Sequence, residues 1–165
     1  MSRKITVLVI GAGNRGKNYS SYALCYPDRM KTFYEDKSSK MPLNWIAAAE
    51  REKFADAVII ATPDRLHKAP AVAFAQKKYH ILLEKPMAVT AEDCVEVVRT
   101  CESNRVILAV CHVLRYHPVY LKIKVMHSSE PNLGSGVGLD DLSLVSTARW
   151  HSFQQLTWLV MLTGR

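Results

Sequence analysis

Three short segments hold residues whose types and spacing suit chemistry: Gly11-Ala-Gly-Asn-Arg-Gly16, Ala61-Thr62-Pro63 and Glu84-Lys85-Pro86. Gly11, Gly13 and Gly16 form the G-x-G-x-x-G spacing of a phosphate-gripping turn. In such a turn Gly11 permits the tight reversal, Gly13 lets backbone N–H groups approach a pyrophosphate, and Gly16 lets a helix pack closely on the preceding strand. The helix N-terminus, opened by Asn14, offers unpaired donors and a partial positive charge to phosphates, and Arg15 adds a positive charge at the rim. In the other two segments each proline fixes its own φ and restricts the residue before it, so Thr62 and Lys85 are held in non-helical geometry. A strand that ends in a rigid Lys-Pro aims an ammonium at a crevice instead of letting it wander in solvent. The plain alternatives are a glycine-rich βα turn, the S-adenosylmethionine loop of a methyltransferase, and a solvated loop lysine.

The elements that must position these segments follow from periodicity. Ile5–Ile10 is a β-branched-rich run suited to a strand buried on both faces. A helix is expected from Asn14 to about Cys25, closed by Pro27-Asp28, then a short strand at Thr32-Phe33-Tyr34. Leu43–Phe54 has helical spacing, and Ala57–Ala61 reads as a second buried strand. Helix Leu66–Lys77, strand His80–Leu83, helix Ala91–Glu102 and strand Val106–Val110 continue the alternation, with Thr90 as N-cap and Glu92 and Asp93 in the first turn. This pattern implies βαβ units with right-handed crossovers: an α/β, doubly wound parallel sheet of Rossmann-like type. Pro118–Met126 adds one more helix. The expected organisation is a domain over 1–126, a Gly/Ser-rich linker over 127–138, and a tail over 139–165 without clean periodicity.

Composition excludes several classes. Hydrophobic residues at 48% and charged ones at 22% are ordinary globular values. No apolar run approaches the roughly 20 residues that span a bilayer, and no cleavage site follows the basic start. Cys25, Cys94, Cys101 and Cys111 form neither a C-x-x-C pair nor zinc-site spacing, so a reducing, cytoplasmic setting is expected. Cys94 and Cys101 are expected to share a buried helical stripe, and His112 and His117 near Cys111 lack metal-site spacing. The net charge of +7 favours anionic partners such as a phosphate-bearing cofactor. The cations are scattered, without the aromatic-interleaved stripe of a nucleic-acid binder.

Taken in order, VLVIGAGNRG, DAVIIATPDRLHKAPAVAFA, HILLEKPMAVTAEDC and VILAVCHVLRYHPVY resemble the N-terminal half of the Gfo/Idh/MocA family, relatives of glucose–fructose oxidoreductase and inositol dehydrogenase. The resemblance covers most of Ile5 to Lys124 and implies a dinucleotide cofactor, NAD or NADP, with a polyol- or sugar-like small-molecule substrate. It implies that Lys85 lies by the nicotinamide and the reacting hydroxyl as the catalytic residue. Ala61, Thr62, Pro63 and His67 match the turn under the cofactor, while Glu84 and Pro86 shape the lysine's setting. The implied reaction is hydride transfer, which needs a group that takes or orients the hydroxyl proton. A lysine at its ordinary pKa of about 10.4 is a poor base at neutral pH without desolvation or a nearby positive charge.

The ribose reader expected about 20 residues beyond the glycine turn is Glu35 or Asp36; Arg29, Lys31 and Lys37 keep a 2′-phosphate open. Met30–Trp45 looks short for the usual strand, helix and return. Lys78 stands where the family has a helix-ending glycine, at a cost of roughly 1 kcal/mol if left-handed. The family's second domain, with its Asp/His pair, has no match after Met126, so Asp140, Asp141 and His151 receive no role and a truncated product is expected. Two function classes follow: an oxidoreductase cofactor domain, or a module that binds NAD(P) without turnover. The oligomeric state stays open, a homo-oligomer included.

Overall fold

Continuous apolar runs need cover on both faces, and the fold supplies it. A computed structural model describes residues 3–34 and 45–129, in two compact units, Met1–Cys111 and His112–Arg165. The first unit contains β1 (Ile5–Ile10), α1 (Asn14–Cys25), β2 (Met30–Tyr34), α2 (Trp45–Glu50), β3 (Ala57–Ile60), α3 (Lys68–Gln76), β4 (His80–Leu83), α4 (Ala91–Ser103) and β5 (Leu108–Val110). All strand pairs are parallel, in the order β2-β1-β3-β4-β5. Every residue of β3 is buried, as are Val7 to Ile10 of β1 and Ile81 to Leu83 of β4. Phe74 and Tyr79 anchor the core beside them, with ring centroids 5.1 Å apart in an edge-to-face pair. In the second unit α5 spans Pro118–Ser129, three residues longer than the helix expected to end at Met126.

Several boundaries differ from the expectation for local reasons. Pro63 caps a separate 3-10 turn over Asp64–Leu66, so α3 begins at Lys68 and not at Leu66. Pro70 falls in the first turn of α3, where its missing N–H costs no helical bond. The short strand after α1 extends back to Met30, and β5 begins only at Leu108. At Lys78 φ is 63°, and the Tyr79 N–H returns to the Phe74 carbonyl at 3.0 Å, a closure that requires a left-handed residue. Arg105, at φ 55°, closes α4 in the same way through the Val106 N–H and the Cys101 carbonyl. Thr90 caps α4 as expected, accepting from the Asp93 N–H at 3.2 Å. Cys101 is buried on that helix while Cys94 is half-buried. Among the described residues no helix is long and apolar enough to cross a membrane, and no group of three His, Cys, Asp or Glu residues could hold a metal ion. The first three residues expected in the linker, 127–129, belong instead to α5, while residues 130–138 and the tail lie outside the described residues, as does the start of the Leu43 helix.

Candidate functional site

The strand order reverses direction between β1 and β3, so the connections leaving these strands diverge at their carboxyl ends. Open α/β sheets bind ligands in the crevice formed there. The glycine turn leaves β1 at that point, and its first two glycines have different physical reasons. Gly11 has φ of 106°, and a Cβ there would lie 2.3 Å from the Ala61 carbonyl oxygen. Its lack of a side chain is demanded by the protein itself. Gly13 has an ordinary extended backbone, φ −78° and ψ −175°, and a Cβ there would meet nothing within 4 Å. No side chain caps α1 at Gly13, and the first turn holds no acidic residue, so its N–H groups and dipole face outward without a carboxylate. Those features fit a pyrophosphate. Asn14 is exposed, Arg15 half-buried, and Gly16 buried.

Tertiary contacts join the three chemistry-bearing turns in pairs. Gly11 packs on the Ala61–Thr62 peptide. The Arg15 guanidinium lies 3.9 Å from Glu84. His67, fully buried, reaches the Thr62 carbonyl oxygen with Nε2 at 2.8 Å and the Pro86 carbonyl oxygen with Nδ1 at 2.7 Å. Thr62 donates from its hydroxyl to the Leu66 carbonyl at 3.2 Å, bracing the turn that Pro63 begins. Lys85 and Pro86, joined by a cis peptide bond, are exposed at the end of β4.

Glu84 is the buried counterpart of Lys85. One carboxylate oxygen accepts from the Tyr19 hydroxyl at 2.6 Å, and the other accepts from the Lys85 backbone N–H at 3.2 Å. The Tyr19 oxygen also lies 3.1 Å from the Cys111 sulfur. A phenol has one proton, and the carboxylate is the stronger acceptor, so the thiol donates to the phenol oxygen. Burial, reinforced by Glu84, pushes the Cys111 thiol up to about 12 and raises Tyr19 as well. Neither residue is a nucleophile or base in this setting. The sequence analysis gave Tyr19 no role and weighed Cys111 only as a disulfide or metal candidate, because the local signal of each is that of any core residue.

The ribose end is partly corrected. Arg29 precedes β2 and receives the Ile5 N–H at its carbonyl, and Lys31 pairs in register with Thr6. Both stand at the end of the sheet opposite the glycine turn, so neither reaches a 2′-phosphate there. Glu35, Asp36 and Lys37 lie outside the described residues. The chain does emerge from β2 at Tyr34, whose partner in register is Val9 near the glycine turn.

Comparison with known proteins adds the family context. The model of the Gfo/Idh/MocA group, described as an oxidoreductase family with an NAD-binding Rossmann fold, matches residues 29–112. The 2,7-anhydro-N-acetylneuraminate hydratase of Escherichia coli is 41% identical over 64 residues, 39% of this chain and 17% of that protein. The NADP-dependent scyllo-inositol 2-dehydrogenase IolW of Bacillus subtilis is 34% identical over 103 residues, 61% of this chain and 27% of that protein. Among solved structures, the WlbA dehydrogenase of Bordetella pertussis in complex with NADH and UDP-GlcNAcA superposes with a TM-score of 0.68 at 27% identity. That superposition covers 77% of this chain and 40% of the dehydrogenase. The chain thus spans less than half the length of these relatives.

Proposed function

The chain belongs to the Gfo/Idh/MocA oxidoreductase family through its NAD-binding Rossmann fold, and on that premise we propose that it is the cofactor-holding part of an enzyme transferring hydride between NAD(P) and a polyol- or sugar-like substrate. The dinucleotide, when bound, supplies the hydride acceptor or donor. The chain's own residues bind and orient. The free N–H groups of the first turn of α1, with Arg15, hold the pyrophosphate, and Gly13 leaves the approach clear. Ala61, Thr62, Pro63 and His67 form the floor under the cofactor. Lys85 takes or orients the proton of the reacting hydroxyl, and Glu84 fixes its backbone from below.

The observation that carries this reading is the pairwise linkage of the three turns at one sheet edge, with Lys85 exposed just past the end of β4. Support for the substrate class comes from the scyllo-inositol 2-dehydrogenase among the relatives and from the WlbA dehydrogenase solved with NADH and UDP-GlcNAcA. Another relative is a hydratase by name, so product formation must be followed alongside cofactor reduction.

The test starts with thermal melting of the chain with NAD, NADH, NADP and NADPH. A ligand bound to the folded state at a hundred times its dissociation constant stabilises by about 2.7 kcal/mol, a shift of several degrees. A cooperative melt that no dinucleotide shifts would overturn the cofactor role. Turnover is then assayed with inositols and nucleotide sugars. Lys85→Met should lower the rate by about 10²–10⁴-fold, the usual share of a general acid or base, while keeping the melting shift. Binding without turnover would favour the alternative, a module that binds NAD(P) and does no chemistry.

A further inference from the structure

The hydrogen-bond inventory closes around one buried polar group and not around another. Each Glu84 oxygen has a donor, Tyr19 or the Lys85 N–H, and the Cys111 thiol supplies the Tyr19 oxygen. At His67 both ring nitrogens face backbone carbonyl oxygens, Pro86 at 2.7 Å and Thr62 at 2.8 Å, and the ring is fully buried. A carbonyl only accepts, and a neutral imidazole has one N–H and one lone pair. The neutral ring would therefore turn a lone pair onto an oxygen at hydrogen-bond distance.

We infer that His67 is held as an imidazolium donating from both ring nitrogens, and that it is the positioning residue setting the spacing between the Ala-Thr-Pro turn and the Lys-Pro turn. The carbonyl of Thr62 precedes Pro63, and the carbonyl of Pro86 follows Lys85, so one ring couples the cofactor floor to the lysine's backbone. This functional consequence rests on the proposed cofactor role. The N-terminus of α3, which His67 caps, opposes a positive charge; two short charge-assisted bonds favour it. Ionisable groups on the surrounding segments include Asp64, Arg65 and Lys68 on its own stretch, Glu84 and Lys85 before Pro86, Glu50 on α2, and Glu92, Asp93, Glu96, Arg99 and Glu102 on α4. Asp93 and Glu96 engage Lys68 at 2.6 and 2.7 Å.

The test is a proton-coupled ¹⁵N spectrum of the chain labelled in histidine, with His67 assigned by its loss in His67→Gln. Two slowly exchanging ring N–H groups at neutral pH are expected; one N–H and one bare nitrogen would overturn the imidazolium. For positioning, dinucleotide affinity is compared among wild type, His67→Gln and His67→Leu. The leucine variant should weaken binding on the order of tenfold, about 1.4 kcal/mol, and glutamine, whose amide donates twice, should restore most of it. Unchanged affinity in the leucine variant would overturn the positioning role. If that variant does not fold, affinity in the glutamine variant decides: near wild type supports the role, and a loss as large as tenfold overturns it. Two ring N–H groups in a chain that binds no dinucleotide would leave the imidazolium standing and remove the cofactor role instead.

Discussion

Substituting Gly11 and Gly13 separately by alanine should split stability from binding. At Gly11 an alanine must adopt φ of 106°, which costs a residue with Cβ about 1–2 kcal/mol. Its Cβ would also sit 2.3 Å from the Ala61 carbonyl oxygen and 3.1 Å from the Thr62 nitrogen. These are backbone atoms of the neighbouring strand end, so the turn must move, and overpacking of this kind adds about 1–3 kcal/mol. The sum, roughly 2–5 kcal/mol, is a large part of the stability of a small domain. At Gly13 the backbone already suits alanine and its Cβ meets nothing within 4 Å. The lower unfolded-chain entropy contributes about 0.4–1 kcal/mol and offsets the poorer cap that alanine makes. Gly13→Ala should therefore fold with stability within about 0.5 kcal/mol of wild type, yet bind dinucleotide at least about tenfold more weakly, because the added methyl stands where phosphates approach. Urea unfolding gives the first quantity and cofactor titration the second. Equal destabilisation by the two substitutions, or undiminished affinity in Gly13→Ala, would refute this division.

Three further outcomes can be checked by unfolding experiments. Tyr19→Phe keeps the ring but strips a buried carboxylate oxygen of its hydroxyl donor, so urea unfolding should show a loss of about 1–3 kcal/mol; wild-type stability would mean Glu84 is otherwise satisfied. Lys78→Gly relieves a left-handed backbone and should stabilise by up to about 1 kcal/mol, while β-branched Lys78→Val should destabilise. Burial holds the Cys101 thiol up at about 11 and the Cys111 thiol up at about 12, against 9.0 in an unfolded chain. The folded state thus keeps protons that the unfolded state releases. The associated stability is fully present below pH 9.0 and is lost as pH climbs toward 11 and 12. Urea midpoints should fall across that window, and native thiol labelling should reach exposed Cys25 well before Cys101 or Cys111.

The sequence by itself determined the elements whose signals are local. Continuous apolar runs at Ile5–Ile10, Ala57–Ala61 and His80–Leu83 specify strands buried on both faces, and Thr90 with Glu92 and Asp93 specifies where α4 begins. The ordered motifs were enough to indicate the family, because each motif is a short contiguous stretch. What it could not carry was any requirement met by a distant partner. Gly11 and Gly13 look alike in the motif, yet only Gly11 is confined by the Ala61 carbonyl brought in by β3. Tyr19 reads as an ordinary core residue until Glu84 and Cys111 arrive from β4 and β5. Arg29 and Lys31 lie near the glycine turn in sequence and at the far end of the sheet in space, because a parallel strand begins where its neighbour begins. His67 acquires its pair of acceptors only when the ends of β3 and β4 lie side by side. Propensity and pattern act over a few residues; the spacing of polar groups across a crevice is set by sheet register, which exists only in the assembled fold.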